Sequence, residues 1–388
     1  MFFGVFVILT GTVSGKEYSH FYPGKYWLDN NGVHINAHGG GILYYKGKYY
    51  WFGQHMIKGR AGNKAMVGVH VYSSKDLYNW TDRGIALKVS NDPASEIVKG
   101  CILERPKVIF NAKTKKFVMW FHLEFKGKGY RSARTAVAVS DTVTGPYKYL
   151  RSYAPNGGKW PINMPKKYRS IKLPGKYANR EQISRKIRDI PQVREDLING
   201  LYIIRDFTGA MARDMTLFVD DDGKAYHIHS SEENITLHIS ELTDDYTDFT
   251  GKYARVLPLR SNEAPAIFKR KGKYYLLTSG CSSWYPNAAR SAVADSIFGP
   301  WKELGNPTVG VNPQNGLGPE KTFGGQSTFV LPVQGKKDAY IAMFDIWRPK
   351  NAIDGRHIWL PIEFTADGKF RIKWRNEWDL SVFDKSAK

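Results

Sequence analysis

Residues 41–53 read GILYYKGKYYWFG, an apolar strand, a Lys-Gly turn and an aromatic strand. The same arrangement returns at PKVIFNAKTKKFVMWFH (106–122), MTLFVDDDGKAYHIHS (215–230), PAIFKRKGKYYLLTS (265–279) and STFVLPVQGKKDAYIAMFD (327–345). Alternating apolar residues around a Gly, Asn or Asp turn are typical of a β-hairpin. The chain therefore contains five related hairpins.

A second, more polar strand pair follows each hairpin, at residues 67–87, 135–150, 236–257, 291–304 and 358–374. Five repeats of four strands are what a five-bladed β-propeller requires, because each blade hides its faces against its neighbours. We predict an all-β fold of this architecture.

One segment interrupts the repeats. Residues 154–205 carry no hairpin and become helical through EQISRKIRDI (181–190) and VREDLI (193–198), which predicts a partly helical insertion between blades two and three. Residues 151–205 hold 13 Lys plus Arg against 4 Asp plus Glu. This excess of charge is typical of a solvated surface excursion, and it would also suit a rim that attracts an anionic substrate.

Composition limits the class of protein. The chain has 388 residues, a formal net charge of +21, 42% hydrophobic and 14% aromatic residues, so it can bury a full core. Cys101 and Cys281 lie far apart and fit no zinc motif, whereas a single disulfide between them is left open. No phosphate-binding loop, serine-hydrolase elbow, zinc-protease helix or nucleic-acid motif is present, so we expect no nucleic-acid partner.

The first residues predict export. Residues 2–10 (FFGVFVILT) are apolar and are followed by small residues up to Ser14 and Gly15, a pattern typical of a secretory signal, although the basic leading region is missing. A buried first strand is the alternative. We expect a signal peptide at 1–15, a single propeller domain at 16–388, and a periplasmic, cell-surface or secreted location. The run is too short to span a membrane.

Polar residues recur at one place in every repeat. Four residues before an apolar position of each first strand stand His38, Glu104, Asp214, Glu263 and Gln326. First strands of a propeller line its central axis, so these side chains should converge on one pocket. Clustered carboxylates in an aromatic-rich pocket suit glycoside cleavage, in which a carboxylic acid of raised pKa protonates the leaving oxygen while another group activates water. The alternative is that each satisfies neighbouring backbone groups.

Several motifs together resemble glycoside hydrolase family 43, specifically its exo-β-1,3-galactanase branch. They are INAHGGGILYYKGKYYWFG, YSSKDLYNW, LERPKVIFN, RDMTLFVDDDGKAY, EAPAIFKRKGKYYLLTSGC, FGGQSTFVLP and DGRHIWLPI, in order from about residue 34 to 380. The resemblance implies a five-bladed propeller and an inverting mechanism.

The resemblance also implies roles for individual residues. Glu263 of the EAP motif would be the general acid, and Asp214 would tune it. Gln326 would act as base through its imidic tautomer. Glu104 of the ERP motif would hold a sugar hydroxyl or assist the water, and because a neutral amide is a poor base, Glu104 is the alternative base.

This sequence departs from the family at blade one, where most members carry an Asp base. Here the chain offers Asn36 and His38 and no carboxylate, a departure that the galactanase branch shares. The further residues expected to bind substrate are Asn36, His38, Trp284, Trp347 and Arg356, with Trp51 and Tyr285 as additional aromatic candidates.

No metal site or cofactor is predicted. His227, His229 and His238 are interpreted as packing residues, and a central calcium ion is left open.

The leading hypothesis is an exported exo-acting hydrolase that releases galactose from β-1,3-galactan, with a polysaccharide or oligosaccharide partner that can be acidic. The alternatives are an α-L-arabinofuranosidase or β-xylosidase of the same family, and a non-catalytic propeller that binds glycans.

Overall fold

The computed structural model describes residues 17–169 and 191–387. The predicted signal peptide at 1–15 and the predicted helical stretch at 181–190 therefore lie outside the described residues. In the described part of the chain, strands dominate and no helix is long and apolar enough to cross a membrane.

Twenty-one strands form five sheets, which confirms the predicted five-bladed propeller. Blade one contains β1 (His38–Tyr45), β2 (Lys48–Gln54), β3 (Gly68–Ser74) and β4 (Thr81–Lys88). Blade two contains β5 (Ile102–Asn111), β6 (Lys116–Glu124), β7 (Arg134–Ser140) and β8 (Lys148–Tyr153). Blade three contains β9 (Met215–Val219), β10 (Ala225–Ser231), β11 (Thr236–Leu242) and β12 (Phe249–Val256).

Blade four contains β13 (Asn262–Arg270), β14 (Lys273–Gly280), β15 (Arg290–Ala294) and β16 (Lys302–Gly305). Blade five contains β17 (Thr308–Val309), β18 (Gln326–Pro332), β19 (Tyr340–Ile346), β20 (Arg356–Phe364) and β21 (Phe370–Lys373). Strands within a blade are antiparallel neighbours in chain order, except that β17 pairs in parallel with β21. The first strands β1, β5, β9, β13 and β18 contact one another around the axis, so the ring is closed.

Short 3₁₀ turns occupy several loops, at Arg60–Asn63, Gly129–Arg131, Lys166–Tyr168, Pro319–Gly324, Ala352–Asp354 and Leu380–Ala387. Within the described residues, two α-helices, α1 (Pro191–Asn199) and α2 (Leu201–Arg205), lie between blades two and three, which confirms the predicted insertion.

A buried arginine joins the insertion to blade three. The Arg255 guanidinium donates to the carbonyl oxygens of Leu197 and Ile198 at the end of α1, at 2.7 and 2.5 Å. The last carbonyls of a helix have no intrahelical partner, so these bonds cap α1. The Glu232 carboxylate accepts from Nε and Nη2 of Arg255 at 2.6 and 2.7 Å, which neutralises the buried charge.

The cores lie between blades, where apolar strand faces meet. Trp51, one of the aromatic residues expected at the pocket, is instead 1% exposed, and its ring centroid lies 4.7 Å from that of Trp359 and 5.3 Å from that of Trp80. This position stabilises the contact between blades one and five by about 2–3 kcal/mol through apolar burial. Trp51 therefore cannot stack a sugar.

The two ends of the described chain meet at this same junction. Phe21 and Trp378 exchange backbone hydrogen bonds of 2.8 and 3.2 Å, and their rings stack with centroids 4.3 Å apart. Cys101 and Cys281 are not joined to each other, so the disulfide left open by the sequence does not form.

Candidate active site

A β-bulge lies at the start of four of the five first strands. The register shifts by one residue directly after His38, Glu104, Glu263 and Ser327. In three of them the next residue adopts positive φ, at Gly39 (61°), Arg105 (57°) and Ala264 (50°). A bulge of this kind turns the preceding side chain away from the strand's regular alternation. The Gly and Pro residues noted in the sequence, Gly39, Pro106, Pro265 and Gly325, lie within one or two residues of these bulges.

A cavity of about 290 Å³ opens over these positions. All four catalytic candidates from the sequence line this cavity, namely Glu104, Asp214, Glu263 and Gln326. The substrate-binding candidates Trp284 and Trp347 line it as well. The remaining wall comes from Arg105, His122, Tyr130, Arg213, Asn234, Cys281 and Ser283. The structure thus brings together most of the predicted site.

Glu263 has the environment of a proton donor. Its Oε1 accepts hydrogen bonds from Asn234 Nδ2 at 2.8 Å and from Cys281 Sγ at 3.2 Å. Burial first, and then the negative charge of Asp214, raise the pKa of Glu263 from 4.5 to about 7. A carboxyl group with this pKa carries its proton at neutral pH for an appreciable fraction of the time, as general acid catalysis requires.

Asp214 is held beside Glu263 as a carboxylate. Its Oδ2 accepts from Arg105 Nη2 at 3.1 Å and from the backbone N–H of Ala264, the residue that follows Glu263, at 3.0 Å. These two hydrogen bonds hold the Asp214 side chain in place beside Glu263.

Glu104 belongs to a buried chain of charged groups. Its Oε1 accepts from the Tyr130 hydroxyl at 2.6 Å, and its Oε2 lies 3.1 Å from His122 Nδ1. The other nitrogen of His122 lies 3.0 Å from Glu124 Oε1. Burial opposes the charged imidazole, but its hydrogen bonds to the two carboxylates outweigh this and raise the pKa of His122 to about 9. The imidazolium and the hydroxyl fix the orientation of Glu104.

Gln326 is held in its amide form. Its Oε1 accepts from Arg105 Nη2 at 2.6 Å and from Trp347 Nε1 at 2.9 Å. Guanidinium and indole N–H groups can only donate, so the atom they share is the oxygen. The amide nitrogen donates to Ser279 Oγ at 3.0 Å, and that hydroxyl donates to the carbonyl of Gly280. An imidic tautomer would put a proton on the oxygen that already faces two donors.

Three of the predicted substrate-binding residues do not line the cavity. Asn36 is tied to the backbone of Met56 by two hydrogen bonds of 2.8 Å. His38 is 1% exposed and stacks on His357 with ring centroids 4.9 Å apart.

Arg356 is also buried outside the cavity. Its guanidinium lies 3.6 Å from the centre of the Tyr26 ring and donates to Asp354 Oδ1 at 2.7 Å. The additional candidate Tyr285 is 78% exposed and lies next to Trp284, outside the cavity wall.

Sequence reasoning missed the residues that orient the acids. Arg105 bridges Asp214, Gln326 and the carbonyl of Ser327, and its guanidinium lies 5.4 Å from the centre of the Trp347 ring. Its place directly after Glu104 in the ERP motif was a usable signal. Tyr130 and Asn234 lie on loops between second and third strands. The sequence gave no signal that would have singled out these two residues.

Two groups of side chains within the described residues could be considered for a metal ion. In the first, Glu104, His122 and Asp214, both His122 nitrogens are engaged by carboxylates, so the ring has no lone pair for a metal. The second group consists of His38, Asp345 and His357. It does not line the cavity, and most of its potential ligand atoms are nitrogens. Calcium prefers six to eight oxygen ligands, so these residues do not suit it.

A propeller with a raised-pKa carboxylic acid, a second oriented carboxylate and two tryptophans in one cavity defines a hydrolase of glycosidic bonds. The comparisons with known proteins agree. Residues 200–370 match the family described as Glycosyl hydrolases family 43, and residues 20–142 match the Glycosyl hydrolases family 32 N-terminal domain. No curated protein matches this chain in sequence.

Solved structures give closer matches. A family 43 β-1,3-galactosidase with galactodeoxynojirimycin is 52% identical with a TM-score of 0.86, and the match covers 93% of this chain and all of that one (100%). An exo-β-1,3-galactanase from Clostridium thermocellum is 32% identical, with a TM-score of 0.73, over 93% of this chain and 66% of that one.

A further exo-β-1,3-galactanase, from Phanerochaete chrysosporium and solved with β-1,3-galactotriose, is 28% identical with a TM-score of 0.72, over 94% of this chain and 69% of that one. The chain belongs to glycoside hydrolase family 43.

Proposed function

We propose that this protein is an exo-acting, inverting hydrolase that releases galactose from the end of β-1,3-galactan chains. The observation that carries the proposal is the cavity of about 290 Å³ whose wall contains both Glu263 and Glu104. This volume lies near the lower limit of ligand pockets, about 300 Å³, and suits one sugar unit better than a chain running through a groove. The similarity to β-1,3-galactosidases and galactanases supports galactose as that unit.

Glu263 is the general acid in this proposal. It donates its proton to the glycosidic oxygen as the bond to the departing galactan breaks. The carboxylate of Asp214 keeps the proton on Glu263 until then, because a second negative charge beside it is unfavourable. Trp284 and Trp347 supply apolar faces against which a galactose ring can stack.

Glu104 accepts the proton of the attacking water in this proposal. Three carboxylates line the cavity, and of these Asp214 is engaged by Arg105 and the Ala264 N–H while Glu263 is the acid. Gln326 would need its imidic tautomer to act as a base, and the donors on its oxygen oppose that form. Gln326 is therefore assigned to positioning, with the second hydrogen of its amide nitrogen available for substrate or water.

The proposal is tested with linear β-1,3-galactan, with chromatography of the released sugars and NMR of the first-formed anomer. We expect galactose alone, released first as the α-anomer. Oligosaccharides as first products would contradict exo action, and a β-anomer would contradict inversion. Arabinosides and xylosides are assayed alongside. A preference for either substrate would identify the chain as an α-L-arabinofuranosidase or a β-xylosidase instead.

Two variants separate the roles of the carboxylates. Glu263→Gln should lose galactan hydrolysis by about 10²- to 10⁴-fold but keep most activity on an aryl galactoside whose leaving group needs no proton. Glu104→Gln should lose both activities, and added azide, which can attack in place of water, should restore turnover and yield an α-galactosyl azide. Azide rescue of Gln326→Ala and not of Glu104→Gln would assign the base to Gln326.

A further inference from the structure

The loops around the cavity carry an uneven charge. The segments 55–67, 125–133 and 347–355, which join the second and third strands of blades one, two and five, contain eight Lys and Arg residues and one acid, Asp354. All eight basic residues are exposed, and none forms an ion pair within the described part of the chain. Asp354 is already engaged by Arg356 and by the Tyr26 hydroxyl. This side of the rim therefore carries a net positive charge.

The opposite side of the rim differs. The equivalent loop of blade four, 281–289, has no charged residue. In blade three, Glu232 is buried against Arg255, and Glu233 pairs with Arg205 at 3.1 Å. Among the loops that join second and third strands, the uneven charge is thus confined to blades one, two and five.

A small pocket of about 80 Å³ lies within the positive side. It shares Trp284 and Trp347 with the catalytic cavity, and the rest of its wall comes from Arg60, Asn63 and Arg348 together with the apolar Met56, Pro349 and Ala352. A ligand group in it would therefore lie directly beside a sugar bound to the two tryptophans.

The two arginines are held by loops that are tied together. Gly59 N–H donates to Asn351 Oδ1 at 2.9 Å, and the N–H of Ile353 donates to the carbonyl of Ile57 at 3.2 Å. Gly62 lies so close to Ala352 that a Cβ on it would come within 2.2 Å of the alanine Cβ. These contacts hold the segments that carry Arg60 and Arg348 on one wall. Two exposed arginines that line one small pocket suit a planar carboxylate, which guanidinium groups can bind through paired hydrogen bonds.

We propose that this pocket receives the carboxylate group of a uronic acid unit attached to the galactose in the catalytic cavity, with Arg60 and Arg348 binding that carboxylate. The inference rests on the proposed function and narrows it to galactans with acidic branches. Removal of the branched galactose would then yield a charged disaccharide as product.

The test compares two substrates, β-1,3-galactobiose and the same disaccharide with one glucuronosyl branch on its non-reducing galactose. The parent should prefer the acidic substrate in kcat/KM by about tenfold at low salt, a size expected for a charge-assisted carboxylate contact. The double variant Arg60→Gln/Arg348→Gln should lose that preference. Arg371→Gln is the matched control, because Arg371 is an exposed arginine on β21 with no ion pair and lines neither pocket.

Equal kcat/KM for both substrates in the parent would overturn the subsite, as would an unchanged preference in the double variant. If the parent preferred a substrate with a sulfated branch to the one with a glucuronosyl branch, the ligand of the pocket would be a sulfate and the proposal would be overturned. If the parent cleaves neither substrate, the proposed function fails instead. Calorimetry of glucuronosyl-galactose binding then tests the subsite alone, and equal affinity in parent and double variant would refute it.

Discussion

Replacing Asp214 by Asn should move the pH at which the enzyme loses activity. As the proposed general acid, Glu263 would work only while it is protonated, so we expect kcat/KM to be retained below the pKa of Glu263 and lost above it. The pKa of about 7 places this loss near neutrality in the parent. Asp214→Asn removes the neighbouring negative charge that helps to keep Glu263 protonated.

The size of the effect follows from the environment of Glu263. Its pKa rises from 4.5 to about 7, with burial as the larger cause and Asp214 as the second. Burial persists in the variant, so part of the rise remains. Arg105, which donates to Asp214 at 3.1 Å, also loses a counter-charge and favours ionised Glu263 more strongly. Both effects lower the pKa of Glu263, by about one pH unit together, which corresponds to about 1.4 kcal/mol.

The assay is kcat/KM for β-1,3-galactobiose from pH 5 to pH 9, for the parent, Asp214→Asn and the control Asp367→Asn in a distant exposed turn. We expect the alkaline limb to move down by about one unit in Asp214→Asn and to stay in place in the control. An unmoved limb would show that Asp214 does not tune the acid. An upward shift would refute the sign of the electrostatic argument.

Three further changes test the surroundings of the site. Tyr130→Phe removes the 2.6 Å hydrogen bond to Glu104 and should lower kcat/KM by about ten- to hundredfold without changing the melting temperature by more than a few degrees, as steady-state kinetics and calorimetry will show. In the parent, His122 has a folded pKa of about 9 against 6.5 when unfolded, so its stabilisation of about 3 kcal/mol is complete below pH 6.5 and is lost as the pH rises through 9. Denaturant unfolding of His122→Asn should lack this loss between pH 6.5 and 9, and an identical slope in both proteins would argue against a charged His122. Gly355→Ala places a Cβ within 2.2 Å of the His38 ring at an ordinary φ of −56°, so it should destabilise the fold by about 1–3 kcal/mol, and an unchanged unfolding midpoint would contradict the close packing.

The propeller could be predicted because its repeats are local. The first hairpin, expected at 41–53, is the pair β1 and β2, and each strand's alternation follows from contacts with adjacent strands. The short strand β17, at residues 308–309, was missed because two residues carry no periodic signal, and its partner β21 is distant in sequence. The parallel pairing of β17 is fixed only by tertiary packing.

The carboxylates and the amide of the site were predictable because the repeat itself positions their side chains. Glu104, Asp214, Glu263 and Gln326 were found because equivalent positions converge on the axis. His38 occupies the same position, yet the cavity does not reach it, because His357 and Gly355 pack against its ring. Such packing depends on residues more than 300 positions away, which no local pattern reports.

The junction of Phe21 and Trp378 has a consequence for how the enzyme can change. A propeller whose ends are tied across one seam has no gap through which its blades could spread, so the diameter of the catalytic opening is fixed by the ring. The parts free to vary are the loops between second and third strands, which contribute little to the cores between blades. Evolution or engineering can therefore change exposed residues of these loops, such as Arg60 or Arg348, while Glu263, Asp214 and the closed ring stay intact.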